Sequence, residues 1–236
     1  MDAWVEYQFQ DGVATITMND GKANSLSLPM QAQLNDAFDQ ARADKAVVVL
    51  AGRPGTFSAG FDLKTLMAGG VDAVKMLLGG FALAERVLLA PKPVVVASTG
   101  HTLAMGVFLQ ASADYAIGAD GAFKVGANEV AIGLTMPRAA IEICRARLAP
   151  AHFTRAMMTS EIYRPADAVA AGFLDRVVPE ADVVPEAQAY AAKLSKLNMN
   201  AYYATKMRLR ESLHKTLRAA IEMDHIDFKI MCKVPD

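Results

Sequence analysis

Two apolar runs, AVVVLAG at 46–52 and PVVVAS at 93–98, constrain the architecture of this 236-residue chain more than any other feature in it. Each is a block of β-branched residues without polar alternation, the pattern of a strand buried on both faces. Each also runs straight into a loop and then a helix start: RPGTFSAG before a helix from about Asp62, and TGHTLA before a helix from Met105. Strand, helix and strand again in this order predict a largely parallel sheet with crossover helices, because parallel strands cannot be joined by a tight hairpin.

The remaining segments fit around that sheet. WVEYQF and VATITM alternate at period two on either side of Gln10-Asp11-Gly12 and read as an antiparallel hairpin. In the stretch that follows, Ser27 caps a helix, Pro29 sits in its first turn, and Met30, Leu34, Ala37, Phe38 and Ala41 form its apolar stripe. A helix from Asp62 is followed by a longer one through VDAVKMLLGGFALAERVLLA, ending before Pro91. YAIGA and AFKV are brief strands, Pro137 opens a helix through AAIEICRARL, and HFTRAMMTS continues as a second. RPADAVAAGF is a short helix stopped by Gly172, and DRVVP is an edge strand. From Val183 the chain reads as helical, with breaks near Asn198 and Val234. The organisation expected is a core at 1–180 and a helical C-terminal region at 181–236.

Composition narrows the function classes. With 53% hydrophobic and 21% charged residues the chain can bury a sizeable core. A net charge of −1 and a pI near 6.4 offer no positive field, so neither nucleic acid nor an anionic membrane is an expected partner. No stretch reaches the ~18–20 apolar residues of a membrane span. Cys144 and Cys232 are too few for a disulfide framework and lack metal-ligand spacing, so no metal is expected. MDAWVEYQF has acidic residues and alternation where a secretory leader has basic residues and an apolar run, and the expectation is a cytoplasmic protein.

The two helix starts carry the chemistry. Each strand delivers unpaired backbone N–H groups at a helix N-terminus, and two such ends on adjacent parallel strands could grip one oxygen. Taken alone, FSAGFDL reads first as a surface turn with Asp62 as a first-turn acid, and TLAMG as small residues kept for packing.

Taken together, the KANSL segment, FSAGFDLK at 57–64, TGHTLAMG at 99–106, GANEVAIGL at 126–134 and AAGFLDRVVPE at 170–180 resemble the crotonase superfamily, the enoyl-CoA hydratase/isomerase family. The resemblance spans nearly the whole chain. It implies an α/β fold, a crotonase-like ββα superhelix with a C-terminal helical trimerisation region, and a homotrimer or a hexamer. It implies an acyl-CoA thioester as substrate, with coenzyme A part of that substrate and no separate cofactor. By position, the thioester oxygen would lie between the N–H groups of Phe61 and Met105. Met105 stands where the family has a glycine, and its side chain is expected to narrow the pocket. Lys22, Ala23 and Lys64 match the places that hold coenzyme A, and Met67, Met76, Leu77, Leu78 and Phe81 lie on helices that line the acyl tunnel.

Hydratases of the family carry two glutamates. The first position falls on Phe108, which can neither polarise water nor carry a proton, and the second falls on Glu129. A lone glutamate against an apolar wall should have a raised pKa, as a base working near neutrality needs. The single-glutamate pattern is closest to the Δ3,Δ2-enoyl-CoA isomerase branch. Other branches use a further carboxylate where this chain has Pro137. His101, Gly106 and Phe108 are assigned to the pocket wall, His101 being also the candidate base of a hydrolytic variant. Alternatives are a hydratase, a thioester hydrolase or decarboxylase, and a CoA-binding subunit without catalysis. The chain reaches Asp236 before the usual last helix of the family, so no residue is assigned to cap the CoA pocket.

Overall fold

The computed structural model describes residues 3–235. Strands β1 (Val5–Gln10) and β2 (Val13–Met18) form the hairpin, with Asp11 and Gly12 at positive φ in its turn. Helix α1 (Leu28–Ala43) starts where expected: Ser27 Oγ accepts from Met30 N–H, and Met30, Leu34, Ala37, Phe38 and Ala41 are buried. Three successive strand–strand–helix turns then follow. They are β3 (Val47–Ala51), β4 (Gly55–Ser58), α2 (Leu63–Ala68) and α3 (Gly70–Leu88); β5 (Val94–Ser98), β6 (Gly100–Leu103) and α4 (Met105–Ala111); and β7 (Tyr115–Ala119), β8 (Val125–Gly126) and α5 (Arg138–Arg147). Helices α6 (Pro150–Met158) and α7 (Pro165–Ala171), strand β9 (Arg176–Val178), and helices α8 (Val183–Leu194) and α9 (Met199–Met231) complete the chain.

The first strand of every turn joins one sheet and the second joins another. The larger sheet has the order β1-β2-β3-β5-β7-β9, parallel throughout except for the opening hairpin. The smaller is the parallel trio β4-β6-β8. Gly52 permits the sharp bend from β3 into β4, since a Cβ there would lie 2.3 Å from the Thr56 carbonyl oxygen. Strands β4 and β6 occupy segments expected as loops. The AFKV strand is shorter than expected, because only Val125 and Gly126 pair.

The absence of polar alternation in the two diagnostic strands has a direct cause. Val47, Val49, Ala51, Val95 and Ala97 face one core cluster, while Val48, Leu50, Val94 and Val96 face the other. Full burial of each of these valines and leucines stabilises the fold by about 1.5–3 kcal/mol. The first cluster is closed by α8 through Val183, Ala187 and Ala191, all fully buried. The second is closed by α1, α3, α4, α5 and the far part of α9, where Leu217, Ala220 and Phe228 are buried. The region from 181 is therefore packed into both cores of its own chain. Among the described residues no helix is long and apolar enough to cross a membrane.

Candidate active site

The two helix starts meet as the parallel register predicts. β4 and β6 pair side by side, Thr56 opposite His101 and Ser58 opposite Thr102, so the chain leaves both strands at the same level. Gly60, at φ +94°, lies against the second turn: a Cβ on it would stand 2.7 Å from Ala104 Cβ and 3.1 Å from Met105 N. Gly106 serves the same approach, because a Cβ there would meet the Ser58 carbonyl oxygen at 2.7 Å. Neither the Phe61 nor the Met105 N–H has an acceptor among the described residues. Ala104, just before Met105, has φ 51° and ψ −130°, a backbone conformation that residues with side chains rarely adopt.

The first loop is pinned to this turn from below. Asp20 accepts from the N–H groups of Lys22, Asn24 and Ser25, and the fully buried Asn24 side chain donates to the carbonyls of Met18 and Phe57. Ala59 N–H donates to Ala23 and Leu26 N–H to Gly60, at 2.9 and 2.8 Å. Lys22 and Lys64 are exposed. Arg53, which the sequence reading did not single out, donates from Nε to the Lys22 carbonyl at 2.8 Å and adds a second cation beside that lysine.

The N–H of Ile132 donates to the carbonyls of Asn128 and Glu129, and Leu134 N–H donates to that of Glu129, which fixes a tight turn with Glu129 at its start. The Glu129 side chain enters a cavity of about 140 Å³ whose wall includes Ala59, Phe61, Ala104, Phe108 and Asn128. Leu77 and Phe81 of α3 and Phe228 and Met231 of α9 add to it, and the rest comes from Leu63 and Leu66 of α2 and from Ile132, Leu134, Thr135 and Pro137. Glu129 is 8% exposed, and its Oε2 has no hydrogen-bond partner. Burial pushes its pKa up to about 7, against a smaller lowering by the backbone N–H groups of Asn128 and Glu129. Among the described residues lining the cavity it is the one ionisable side chain. Phe108, 1% exposed, forms part of the wall.

Several expected wall residues lie elsewhere. Met105 does not narrow the cavity: its side chain is fully buried toward α3, where Gly80 leaves room for it and for the Phe61 ring. His101 stands on β6, its Nδ1 accepting from Lys124 N–H at 3.1 Å and its ring edge-on to Phe123, outside the cavity. Gly106 is behind the wall, against β4. Of the α2–α3 residues, Leu77 and Phe81 line the cavity, Met76 is core and Met67 is exposed. Phe228 and Met231 were not anticipated; their spacing of three on an apolar helix face was the available signal.

Fold and cavity together define an α/β protein in which two helix starts and one buried carboxyl face the same apolar space. The family model for enoyl-CoA hydratase/isomerase matches residues 8–234, and the chain belongs to that family. An enoyl-CoA hydratase/isomerase family protein from Pseudomonas syringae is 45% identical, with a TM-score of 0.92 over 94% of this chain and 96% of that one. Human mitochondrial delta3-delta2-enoyl-CoA isomerase is 26% identical, with a TM-score of 0.91 over 98% and 93%. A probable enoyl-CoA hydratase from Rhizobium meliloti is 28% identical over 231 residues, 96% of this chain and 89% of the relative.

Proposed function

We propose that the protein shifts the double bond of 3-enoyl-CoA to trans-2-enoyl-CoA by a one-base proton transfer. Glu129 removes a proton from C2, the electron pair moves toward the thioester carbonyl, and the dienolate oxygen rests between the N–H groups of Phe61 and Met105. Glu129 then returns the proton to C4, so that the double bond moves with no net gain or loss of atoms. The observation that carries this reading is a single carboxyl, poised near neutrality, in a cavity whose other candidate acid position holds the Phe108 ring. A proton shift needs one base, whereas addition of water calls on two groups to orient and deliver it. A correctly aimed oxyanion donor contributes roughly 10²–10³ in rate, and a positioned base roughly 10²–10⁴.

Lys22, Ala23 and Lys64, with Arg53 beside them, are assigned to coenzyme A, whose phosphates suit the cations. The protein is further proposed to act as a homotrimer in the cytoplasm. Exposed Leu209, Ile226 and Ile230 on α9 leave apolar surface for neighbouring copies, and light scattering at micromolar concentration reads the mass. The deciding experiment is product analysis with 3-enoyl-, 2-enoyl- and β-keto-CoA thioesters. The expected result is 2-enoyl product from the first and no 3-hydroxyacyl product from the second. Efficient hydration by the wild type would refute the assignment.

A further inference from the structure

The cavity is closed on one side by the last turns of α9, and these are held firmly. Asp224, 2% exposed, accepts from the N–H groups of Arg138 and Ala139 at 3.0 and 2.8 Å, so a side chain of α9 caps the N-terminus of α5. Eight residues on, the Cys232 carbonyl accepts from Gly70 N–H at 2.8 Å, fixing the end of α9 to the start of α3. Phe228 lies between the two anchors. Its ring is stacked with Phe81 at 6.2 Å and 14°, and Phe81 is in turn stacked with Phe108 at 6.3 Å and 21°. Three near-parallel rings thus link Phe108 on α4 to the C-terminal helix.

We infer that this wall, through Phe228 and Met231, limits the acyl group to short chains of about six carbons, the content that an apolar cavity of ~150 Å³ takes up as benzene. The cavity measures about 140 Å³ and already includes the space beside Glu129 and Ala104 where the thioester end would sit. A longer chain directed toward α9 would need Phe228, held between the two anchors, or the half-exposed Met231 to move. The inference rests on reading this cavity as the acyl site, but not on which reaction occurs there.

Calorimetric titration of the full chain with saturated butyryl-, hexanoyl-, octanoyl- and decanoyl-CoA tests it without turnover, so a failed isomerase assay leaves the readout intact. Each buried methylene adds about fourfold in affinity, so binding should tighten roughly 15-fold from butyryl to hexanoyl. It should then stop improving. In Phe228→Leu and in Met231→Ala the improvement should continue to octanoyl. Met231→Ala leaves the ring stack whole, so it carries the test even where Phe228→Leu loosens the fold. Equal gains through decanoyl in the wild type, or a break that stays at hexanoyl in Met231→Ala, would overturn the limit.

Discussion

Replacing Glu129 by glutamine should make the protein more stable while removing its activity, and the stability gain should depend on pH in a defined way. The carboxyl has a pKa raised from 4.5 to about 7 by burial. Below about pH 4.5 it is protonated in both folded and unfolded chains, and its ionisation contributes nothing. Between 4.5 and 7 the folded protein keeps a proton that the unfolded chain has released, so stability falls as pH rises. Above 7 the folded state carries the whole penalty of a desolvated charge, roughly 3 kcal/mol at about 1.36 kcal/mol per tenfold change in acidity. Glutamine is close in shape and uncharged. Urea denaturation of both proteins should therefore show nearly equal stability at pH 4.5 and a gap widening toward roughly 3 kcal/mol at pH 8, in favour of the variant. In the wild type, kcat/KM should fall as pH is lowered through about 7, because the base is then protonated. A stability gap that is absent at pH 8, or that does not change with pH, would show that the carboxyl is not held in a desolvating site.

Gly60→Ala should abolish turnover, since the new Cβ would press on Ala104 and on the Met105 N–H; steady-state kinetics beside far-UV circular dichroism separate that from misfolding. Ala104→Gly should raise stability by about 1 kcal/mol, relief of a strained backbone being partly offset by glycine's greater freedom in the unfolded chain. A thermal melt reads the sign, and a lowered Tm would contradict the strain. Asp224→Ala should cost about 2–3 kcal/mol by removing charge-assisted hydrogen bonds to the start of α5, and should speed hydrogen exchange in the last turns of α9. Unchanged exchange there would remove Asp224 from the anchoring of the cavity wall.

The sequence made some layers of the molecule plain and hid others, for physical reasons. The central strands announced themselves because Val47 to Ala51 and Val94 to Ser98 are buried on both faces, and helix α1 because its cap and stripe are local signals. Strands β4, β6 and β8 span only two to four residues rich in Gly, Thr and Ser, and their pairing is set by neighbouring turns, so no local pattern marks them. Glu129 and Phe108 were placed by their motifs, and the apolar surroundings inferred for the glutamate match its burial. The direction of Met105 was not legible: the expectation of a narrowed pocket ignored Gly80, 25 positions away in sequence, which opens space on the opposite side. Phe228 and Met231 escaped notice because a fold-back of α9 onto α3 depends on contacts across about two-thirds of the chain, and a stripe on a long helix does not reveal what it will cover.

The stacking of strand–strand–helix turns divides the work of the site among separable pieces. The first turn supplies Phe61, the second supplies Met105 and Phe108, and Glu129 follows β8 in the third. In the proposed reaction the carbonyl would be gripped by backbone held in the β4–β6 register, whereas protons would be handled by Glu129, opposite a wall set by Phe108, and neither side chain belongs to those strands. Exchanging a side chain at either position can thus alter what happens to the activated thioester while the means of activation stays in place. On that reading, such a scaffold can diversify its reactions by single replacements, each made on a framework in which the backbone already presents two unpaired amides at neighbouring turns.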